Sequence, residues 1–473
     1  MSDAHPIPTR DCPECTRLRV ALDVALQRIA TLEAQLRDLQ DRLDRNATNS
    51  SCPPSANPPD APKPVVKTPT GRRPGGQPGH RGYFRHRLPP ERVDRIIDHY
   101  PDACAFCHAA LSPQPGSDDP EPTWHQLAEL PPQAAVVTEH RGQARHCPAC
   151  GHLTRAEIPA EVTAHVIGPR LAAVMSYLSG RHHVSRRGVR EFVEAVFEVP
   201  VSLGTVTTLE QEVSAALAGA HDEARVAVQA APVKNTDETG WKQAGQRRWL
   251  WAAATATVAF FVIHVRRSGA GLKALLGEAI RGIVGSDRWS AYNKLPLEQR
   301  QVCWAHLKRD FQKCVDRGGA ATAIGQAGLS AARRLFELWW DFRQRRIDRA
   351  ALEAALDPVA RDLQGALEAG CGCADAKAAA FCANVLALYP ALWLFAAVEG
   401  VEPTNNHIER VLRSGVLWRK NAFGSHSEAG CRFAERMLTV VQTLRLQRRP
   451  VLEYLHRAMV AHRSGQPAPP LLT

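Results

Sequence analysis

The sequence predicts a multidomain α/β protein, and three observations support this class. Strand-like and helix-like patterns alternate after Val233, as in an α/β domain. An apolar heptad pattern occupies residues 1–45, and two C-x-x-C pairs follow a Pro-rich stretch. The chain has 473 residues, a length that favours about three domains of 100 to 200 residues each.

Composition restricts the class of partner. The chain has 59 Lys and Arg against 48 Asp and Glu, a net charge of +11. This excess predicts a polyanionic partner and argues against an acidic disordered protein. The first twenty residues lack an apolar signal segment, so we expect a cytoplasmic protein. Residues 249–265 are apolar but rich in β-branched and aromatic residues, which predicts two buried strands and no membrane contact.

Residues 1–45 carry the pattern of a short coiled coil. Apolar residues recur with alternating spacings of three and four, a seam that needs a partner helix. The simplest partner is the same segment of a second subunit, which predicts a homo-oligomer; the alternative is a helix docked on its own domain. The seam consists of Leu18, Leu22, Ala25, Ile29, Leu32, Leu36, Leu39 and Leu43.

Residues 46–98 are predicted to be a basic linker arm. Ser, Asn and Pro dominate its first half, and such a composition cannot bury enough surface to fold. Between Ala61 and Pro90 there are seven Lys or Arg and no acidic residue. Arg72, Arg73 and Arg81 are therefore candidate DNA contacts. A solvated basic linker explains this segment equally well.

Residues 99–165 are predicted to form a zinc ribbon. Cys104 and Cys107 make one C-x-x-C pair, and Cys147 and Cys150 make a second. Four thiolates in this arrangement are the usual ligands of a structural Zn²⁺ ion. The alternative is unrelated buried cysteines. Cys12 and Cys15 have the same spacing without a second pair nearby, and we assign them no role.

Residues 166–228 are predicted to be a helical, helix-turn-helix-like DNA-binding region. Two helical patterns flank a short turn that contains Pro200, Ser202 and Gly204, which are the dimensions of that motif. Arg186 and Arg187, in a basic cluster before the turn, are candidate DNA contacts. Helical hairpins are also common in ordinary cores, and that alternative stays open.

Residues 229–440 are predicted to form a ribonuclease-H-like core with a helical insertion at about 318–400, followed by a basic helix and tail at 441–473. Three strands in a meander and then alternating helices and strands indicate this fold. Asp237 and Asp287 are placed at the C-terminal ends of the first and fourth strands, which lie side by side in it. Glu409 is placed on a helix that begins at Asn405 or Asn406.

These three carboxylates are the predicted catalytic residues. Carboxylate oxygens are the ligands that Mg²⁺ prefers, and two Mg²⁺ ions, or Mn²⁺ in their place, can activate an attacking oxygen and stabilise the leaving one. The basic residues that follow Glu409 are candidate phosphate contacts because arginine pairs well with phosphate. They are Arg410, Arg413, Arg419 and Lys420. A solvated charged helix face is the alternative.

A series of motifs resembles one known family across nearly the whole chain. NSSCPPS, GRRPGGQPGHRG, the paired cysteines, DETGW, SDRWSAY, CWAHLKRDF, NNHIERVLR, WRKNAFGS and RPVLEYL follow one another as in transposases of the insertion sequence 66 family. The resemblance implies a DDE transposase whose triad is Asp237, Asp287 and Glu409. Thr404 departs from the family, in which an Asp often precedes the two Asn.

The resemblance also bears on CWAH. Cys303 and His306 look like a C-x-x-H element found near the active site of related transposases. Their spacing alone indicates a buried strand residue and a helix-start residue. The resemblance makes His306 a candidate contact to phosphate or beside the metal, but not a metal ligand.

We therefore expect a DNA transposase that catalyses Mg²⁺-dependent cleavage and strand transfer at the terminal repeats of an insertion sequence, with or without accessory proteins of the same element. Two alternatives remain. One is an inactive DNA-binding derivative, against which the presence of all three carboxylates argues. The other is a nuclease that cuts without joining. If Glu409 is misassigned, Glu402 is the next candidate.

Overall fold

The computed structural model describes residues 13–43, 87–114, 116, 119–130 and 135–472. Arg72, Arg73, Arg81 and Cys12 lie outside the described residues, and so does most of the predicted linker arm. The chain divides into two compact units, Lys63–Ala135 and the combination of Met1–Pro62 with Val136–Thr473.

The N-terminal segment is a helix, α1, at Pro13–Leu43. The predicted helix is thus confirmed, whereas its pairing with a second helix stays a prediction. The apolar residues of the seam that the structure describes are solvent-exposed; Leu32 and Leu36, for example, are 54% and 57% exposed.

The unit Lys63–Ala135 holds the first cysteine pair in a tight turn. A bridge pairs Ala103 with Ala110, and within it the Cys104 carbonyl accepts from the His108 N–H at 3.0 Å. In the larger unit, β1 (Ala144–His146) and β2 (Leu153–Arg155) form a hairpin around the second pair.

A group of helices precedes the sheet. They are α2 (Ala160–Thr163), α3 (Pro169–His182), α4 (Arg186–Phe197), α5 (Leu203–Ala216) and α6 (Ala218–Ala230). Serine residues cap the N-termini of α4 and α5. The side chains of Ser185 and Ser202 each accept a hydrogen bond from the backbone N–H three residues later. The two helices flank the turn that the sequence predicts.

The sheet has five strands, interrupted by one helix. They are β3 (Val233–Gln243), β4 (Gln246–Ala254), β5 (Ala259–His264), α7 (Gly269–Leu276), β6 (Ile283–Ser286) and β7 (Arg300–Val302). The spatial order is β5-β4-β3-β6-β7. The first three strands form an antiparallel meander, and β6 and β7 extend it in parallel. The apolar run at residues 249–265 is therefore two strands, and within the described residues no helix could cross a membrane.

The remaining chain is helical. It comprises α8 (Trp304–Arg317), α9 (Ala321–Arg343), α10 (Arg349–Gly370), α11 (Ala376–Ala387), α12 (Leu394–Ala397), α13 (Asn406–Ala422), α14 (Glu428–Leu446) and α15 (Val451–Arg463). Helices α8 to α12 build one hydrophobic core around Phe311, Leu335 and Phe395. This core contains the helices of the predicted insertion at about 318–400, and it also includes Val302 and α8, which precede those bounds.

A second core unites the sheet with α3–α6 and α13–α15. The predicted boundary at residue 440 falls inside α14, and an ion pair at 2.8 Å joins Arg463 of α15 to Glu212 of α5. The segments before and after the sheet therefore belong to one body with it. Sequence periodicity shows that a helix has an apolar face, but it does not show which distant helix covers that face.

The outer strand β5 is covered by α14. Three polar side chains stand one turn apart on α14, at positions 435, 439 and 443, and they accept hydrogen bonds from alternate N–H groups of the strand. The pairs are Glu435 with Ile263 at 2.6 Å, Thr439 with Phe261 at 3.0 Å and Thr443 with Ala259 at 3.1 Å.

Candidate functional site

The sheet places Asp237 and Asp287 side by side. The parallel pairing of β3 with β6 ends at Asn235 opposite Gly285, and each aspartate lies two residues beyond that pair. Residues two apart in a strand face the same side, and neighbouring strands are about 4.8 Å apart. Asp287 follows β6 directly, as predicted.

The predicted position of Asp237 at a strand end is wrong. It is the fifth of the eleven residues of β3, because β3 continues through Gln243 as the partner of β4 alone. The Asp237 carboxylate therefore lies beside the C-terminal end of β6 and not at the end of β3.

Glu409 lies in the first turn of α13, which begins at Asn406 with Asn405 as its cap, as predicted. Asn405 is 1% exposed and fixes this turn against two other elements. Its backbone N–H donates to Cys303 Sγ at 3.1 Å, and its Nδ2 donates to the Thr236 carbonyl at 2.7 Å. Asn405 thus ties the helix that carries Glu409 to the residue before Asp237. Sequence reasoning missed this role.

Asp287 and Glu409 both act on Asp237. Burial raises the pKa of Asp237 well above its usual value, and the negative charges of Glu238, Asp287 and Glu409 raise it further. Within the described chain, Glu409 Oε1 and His306 Nδ1 are buried without a hydrogen-bond partner, and they lie 3.8 Å apart. The unsatisfied Glu409 oxygen and the raised pKa of Asp237 are compatible with a divalent cation, but the oxygens of the three carboxylates do not all lie within 4.8 Å of one another.

Cys303 and His306 lie beside Glu409. One ligand atom from each of the three falls within 4.8 Å of the others, the one such group of His, Cys and acidic side chains among the described residues. Burial raises the pKa of Cys303 to about 11, so the thiol is protonated at neutral pH and serves as the acceptor for Asn405. Burial and then Arg309 lower the pKa of His306, which favours a neutral imidazole.

Glu238, next to Asp237, is a buried acid that sequence reasoning also missed. Its side chain is 1% exposed and its Oε1 accepts from Arg267 Nε at 2.7 Å. Its Oε2 accepts from the Tyr292 hydroxyl at 2.8 Å. Burial raises the pKa of Glu238. Both of its oxygens are committed to these neighbours, so it holds the surrounding loops together.

The loop that carries Asp287 is held from both sides. The Trp289 N–H donates to Asp287 Oδ1 at 2.9 Å. Arg300, which is fully buried, donates to the Asp287 carbonyl at 3.0 Å. Burial lowers the pKa of Arg300 to about 10, so it remains charged at neutral pH.

The candidate phosphate contacts differ in their surroundings. Arg410, Arg413 and Lys420 are exposed on α13. Arg419 is half-buried, and its Nη1 donates to the Gly240 carbonyl at 2.7 Å. The structure therefore uses Arg419 to join α13 to β3.

The candidates on α4 are exposed. Arg186 forms an ion pair with Glu210 at 2.7 Å, which makes it less available to other anions. The Arg186 side chain is 47% exposed. Arg187 is exposed beside it. The following helix α5 contains no Lys or Arg.

Each cysteine pair forms a similar turn. Backbone N–H groups of Cys107 and Phe106 lower the pKa of Cys104, and those of Cys150 and Ala149 lower the pKa of Cys147. A lowered pKa favours the thiolate that metals bind. Each turn taken by itself thus fits half of a zinc site.

The protein has a mixed α/β core in which acidic side chains lie near the exposed basic residues of α13. These features define a class of proteins in which an acidic site adjoins a surface that can bind a polyanion. Within that class, the chain belongs to the transposase IS66 family, whose model matches residues 165–433. That match contains all three carboxylates. Residues 10–86 match a family of unknown function, DUF6444.

A curated relative is the uncharacterized protein y4qI of Sinorhizobium fredii (strain NBRC 101917 / NGR234). It is 26% identical over a segment that covers 47% of this chain and 45% of the relative. The chain thus spans about half the length of the curated relative that it matches.

Proposed function

We propose that the protein is a DNA transposase that cleaves and joins DNA at the ends of an insertion sequence, with Asp237, Asp287 and Glu409 as its catalytic residues. The observation that carries the proposal is the convergence of three carboxylates from β3, the loop after β6 and the first turn of α13. Asp287 and Glu409 both raise the pKa of Asp237, which supports this convergence. Family membership supports an action on DNA.

We propose that the core is ribonuclease-H-like. The support is its strand order, with an antiparallel meander of three strands followed by two parallel strands on the side of β3. In this arrangement Asp237 lies within β3 beside the point where the parallel strand β6 ends, which places two of the carboxylates next to each other. Helices α8 to α12 then stand between the second and third carboxylates in sequence.

Different residues of the chain have different roles in the proposed reaction. The carboxylates would hold Mg²⁺, which when bound supplies activation of a water or 3′ hydroxyl and stabilisation of the leaving 3′ oxygen. Arg410, Arg413 and Lys420 hold phosphates along α13. His306 stands beside Glu409 and would contact a phosphate held there.

The N-terminal half supplies binding and assembly in this proposal. The basic arm and the arginines of α4 bind DNA through its phosphates, with a salt-dependent affinity. As the spacing in the sequence predicts, Cys104, Cys107, Cys147 and Cys150 would hold one structural Zn²⁺ ion, and α1 would pair subunits as a coiled coil.

The test compares near-isosteric amide variants on DNA that carries the element's own ends. Asp237→Asn, Asp287→Asn and Glu409→Gln should each abolish Mg²⁺-dependent cleavage and joining but keep end binding, because binding depends on basic residues. Glu402→Gln is the matched control. Glu402 pairs with Arg343 on the surface at 2.7 Å, so its variant should remain active.

The outcomes separate the candidate activities. Cleavage without joining of pre-cleaved ends would favour a nuclease, and end binding without either reaction in the unaltered protein would favour an inactive derivative. Substantial cleavage by Glu409→Gln would contradict the assignment of the third carboxylate.

A further inference from the structure

A stack of alternating arginines and tryptophans runs from the loop of Asp287 onto the sheet. The Arg267 guanidinium lies between two indoles, 4.2 Å from the ring centre of Trp289 and 5.1 Å from that of Trp249. The Arg247 guanidinium lies 4.8 Å from the Trp249 ring centre. We call these four residues the Trp–Arg ladder.

The ladder is built on a rigid base. Arg247 and Trp249 are two apart on β4 and therefore face the same side of the sheet. Arg267 is anchored by Glu238, which is itself held by the buried Tyr292. Trp289 is anchored by its backbone bond to Asp287. This base orders the aromatic planes before any ligand arrives, which lowers the entropy cost of binding.

The ladder is also accessible and positively charged. Trp289 is 36% exposed, the Arg267 side chain is 32% exposed, and Arg247 and Arg266 are exposed. The carboxylate that contacts the ladder, Glu238, is buried and faces inward. Aromatic faces interleaved with cations are the features that bind single-stranded nucleic acid, because bases stack on the rings while the cations attract phosphates.

We propose that the Trp–Arg ladder binds unpaired nucleotides of a DNA strand that leaves the carboxylate site, with a base stacked on Trp289. The inference rests on the proposed function, since it takes the carboxylate site to be where DNA is cut. Trp289 is two residues from Asp287, so a strand engaged at that carboxylate meets the ladder next. The ladder then extends from this point onto β4.

The experiment measures binding without catalysis, in buffer without added Mg²⁺ or Mn²⁺. The probes are a blunt duplex and the same duplex with a short single-stranded extension that contains 2-aminopurine, whose fluorescence falls on stacking. Trp289→Ala should weaken binding of the extended probe about tenfold, equal to about 1.4 kcal/mol, and should lose the fluorescence change. Binding of the blunt duplex should change less than about twofold, because it depends on phosphate contacts.

Two further variants keep the test decisive. Trp289→Phe retains an aromatic face and should recover most of the fluorescence change. Trp340→Ala removes a tryptophan that is 58% exposed on α9, and it should bind both probes like the unaltered protein. Equal binding and equal fluorescence change in Trp289→Ala and the unaltered protein would overturn the proposal. Failure of the carboxylate variants to block cleavage would instead refute the proposed function, because this binding assay needs no cleavage.

Discussion

Replacement of Asn405 tests whether one buried amide positions Glu409. Asn405→Ala removes the bond from Nδ2 to the Thr236 carbonyl, which costs about 1 kcal/mol. Asn405 Oδ1 is buried without a partner in the described chain, so its removal offsets part of any cavity cost. The net loss of about 1 kcal/mol should lower the Tm by roughly 2 °C. The turn of Glu409 loses a tether, so cleavage should fall at least about tenfold.

Asn405→Asp is the sharper change. It replaces the donor by an oxygen that faces the Thr236 carbonyl and adds a buried carboxyl near Asp237 and Glu409, at a cost of about 3 kcal/mol when ionised. Burial raises the folded-state pKa of such a carboxyl above its unfolded value of about 3.9. The destabilisation relative to the unaltered protein therefore grows as pH rises from the unfolded-state pKa to the folded-state pKa, levels off above the folded-state pKa, and shrinks when pH falls.

Thermal melting between about pH 5 and pH 8 and cleavage of element ends measure both effects. If Asn405→Ala cleaves and melts like the unaltered protein, the amide does not position Glu409. A pH-independent melting difference for Asn405→Asp would refute the burial argument.

Three other predictions concern metal, assembly and packing. Purified protein should contain about one zinc ion per chain, and the Cys147→Ser variant should lose it. Metal analysis that finds no zinc in the reduced protein would contradict the zinc ribbon. The double variant Leu32→Glu and Leu36→Glu should dissociate the oligomer. An unchanged mass in light scattering would instead favour an α1 that is docked on its own domain. Gly415→Ala places a Cβ 2.4 Å from Leu250 Cδ2 and should cost about 1 to 3 kcal/mol; Gly219→Ala, with open space, should not lower the Tm.

The sequence predicts the parts of the site that depend on local patterns. Asp287 follows a short apolar strand, and Glu409 follows a polar cap, so both positions can be read from their own segments. Asp237 could not be placed within β3, because its environment depends on where the pairing with β6 ends. The length of the pairing between β3 and β6 is set by the tertiary arrangement and not by the residues of β3.

Long-range partnerships were also beyond sequence reasoning. Glu238 meets Arg267 across 29 positions, and Asn405 meets Thr236 across 169. A single buried acid or amide is indistinguishable in sequence from a surface one, because its partner is brought to it by the fold. The signal that could have suggested Glu238 is its position directly beside Asp237 in DETGW.

The contacts between α14 and β5 have a consequence for how copies of the chain can meet. An open sheet edge offers unpaired N–H groups on which another chain can add a strand. On β5, alternate N–H groups are already bound to Glu435, Thr439 and Thr443, and the body of the helix lies across them. Continuous sheets between subunits, and fibrous stacking that would start from this edge, are therefore blocked by side chains of the protein's own helix.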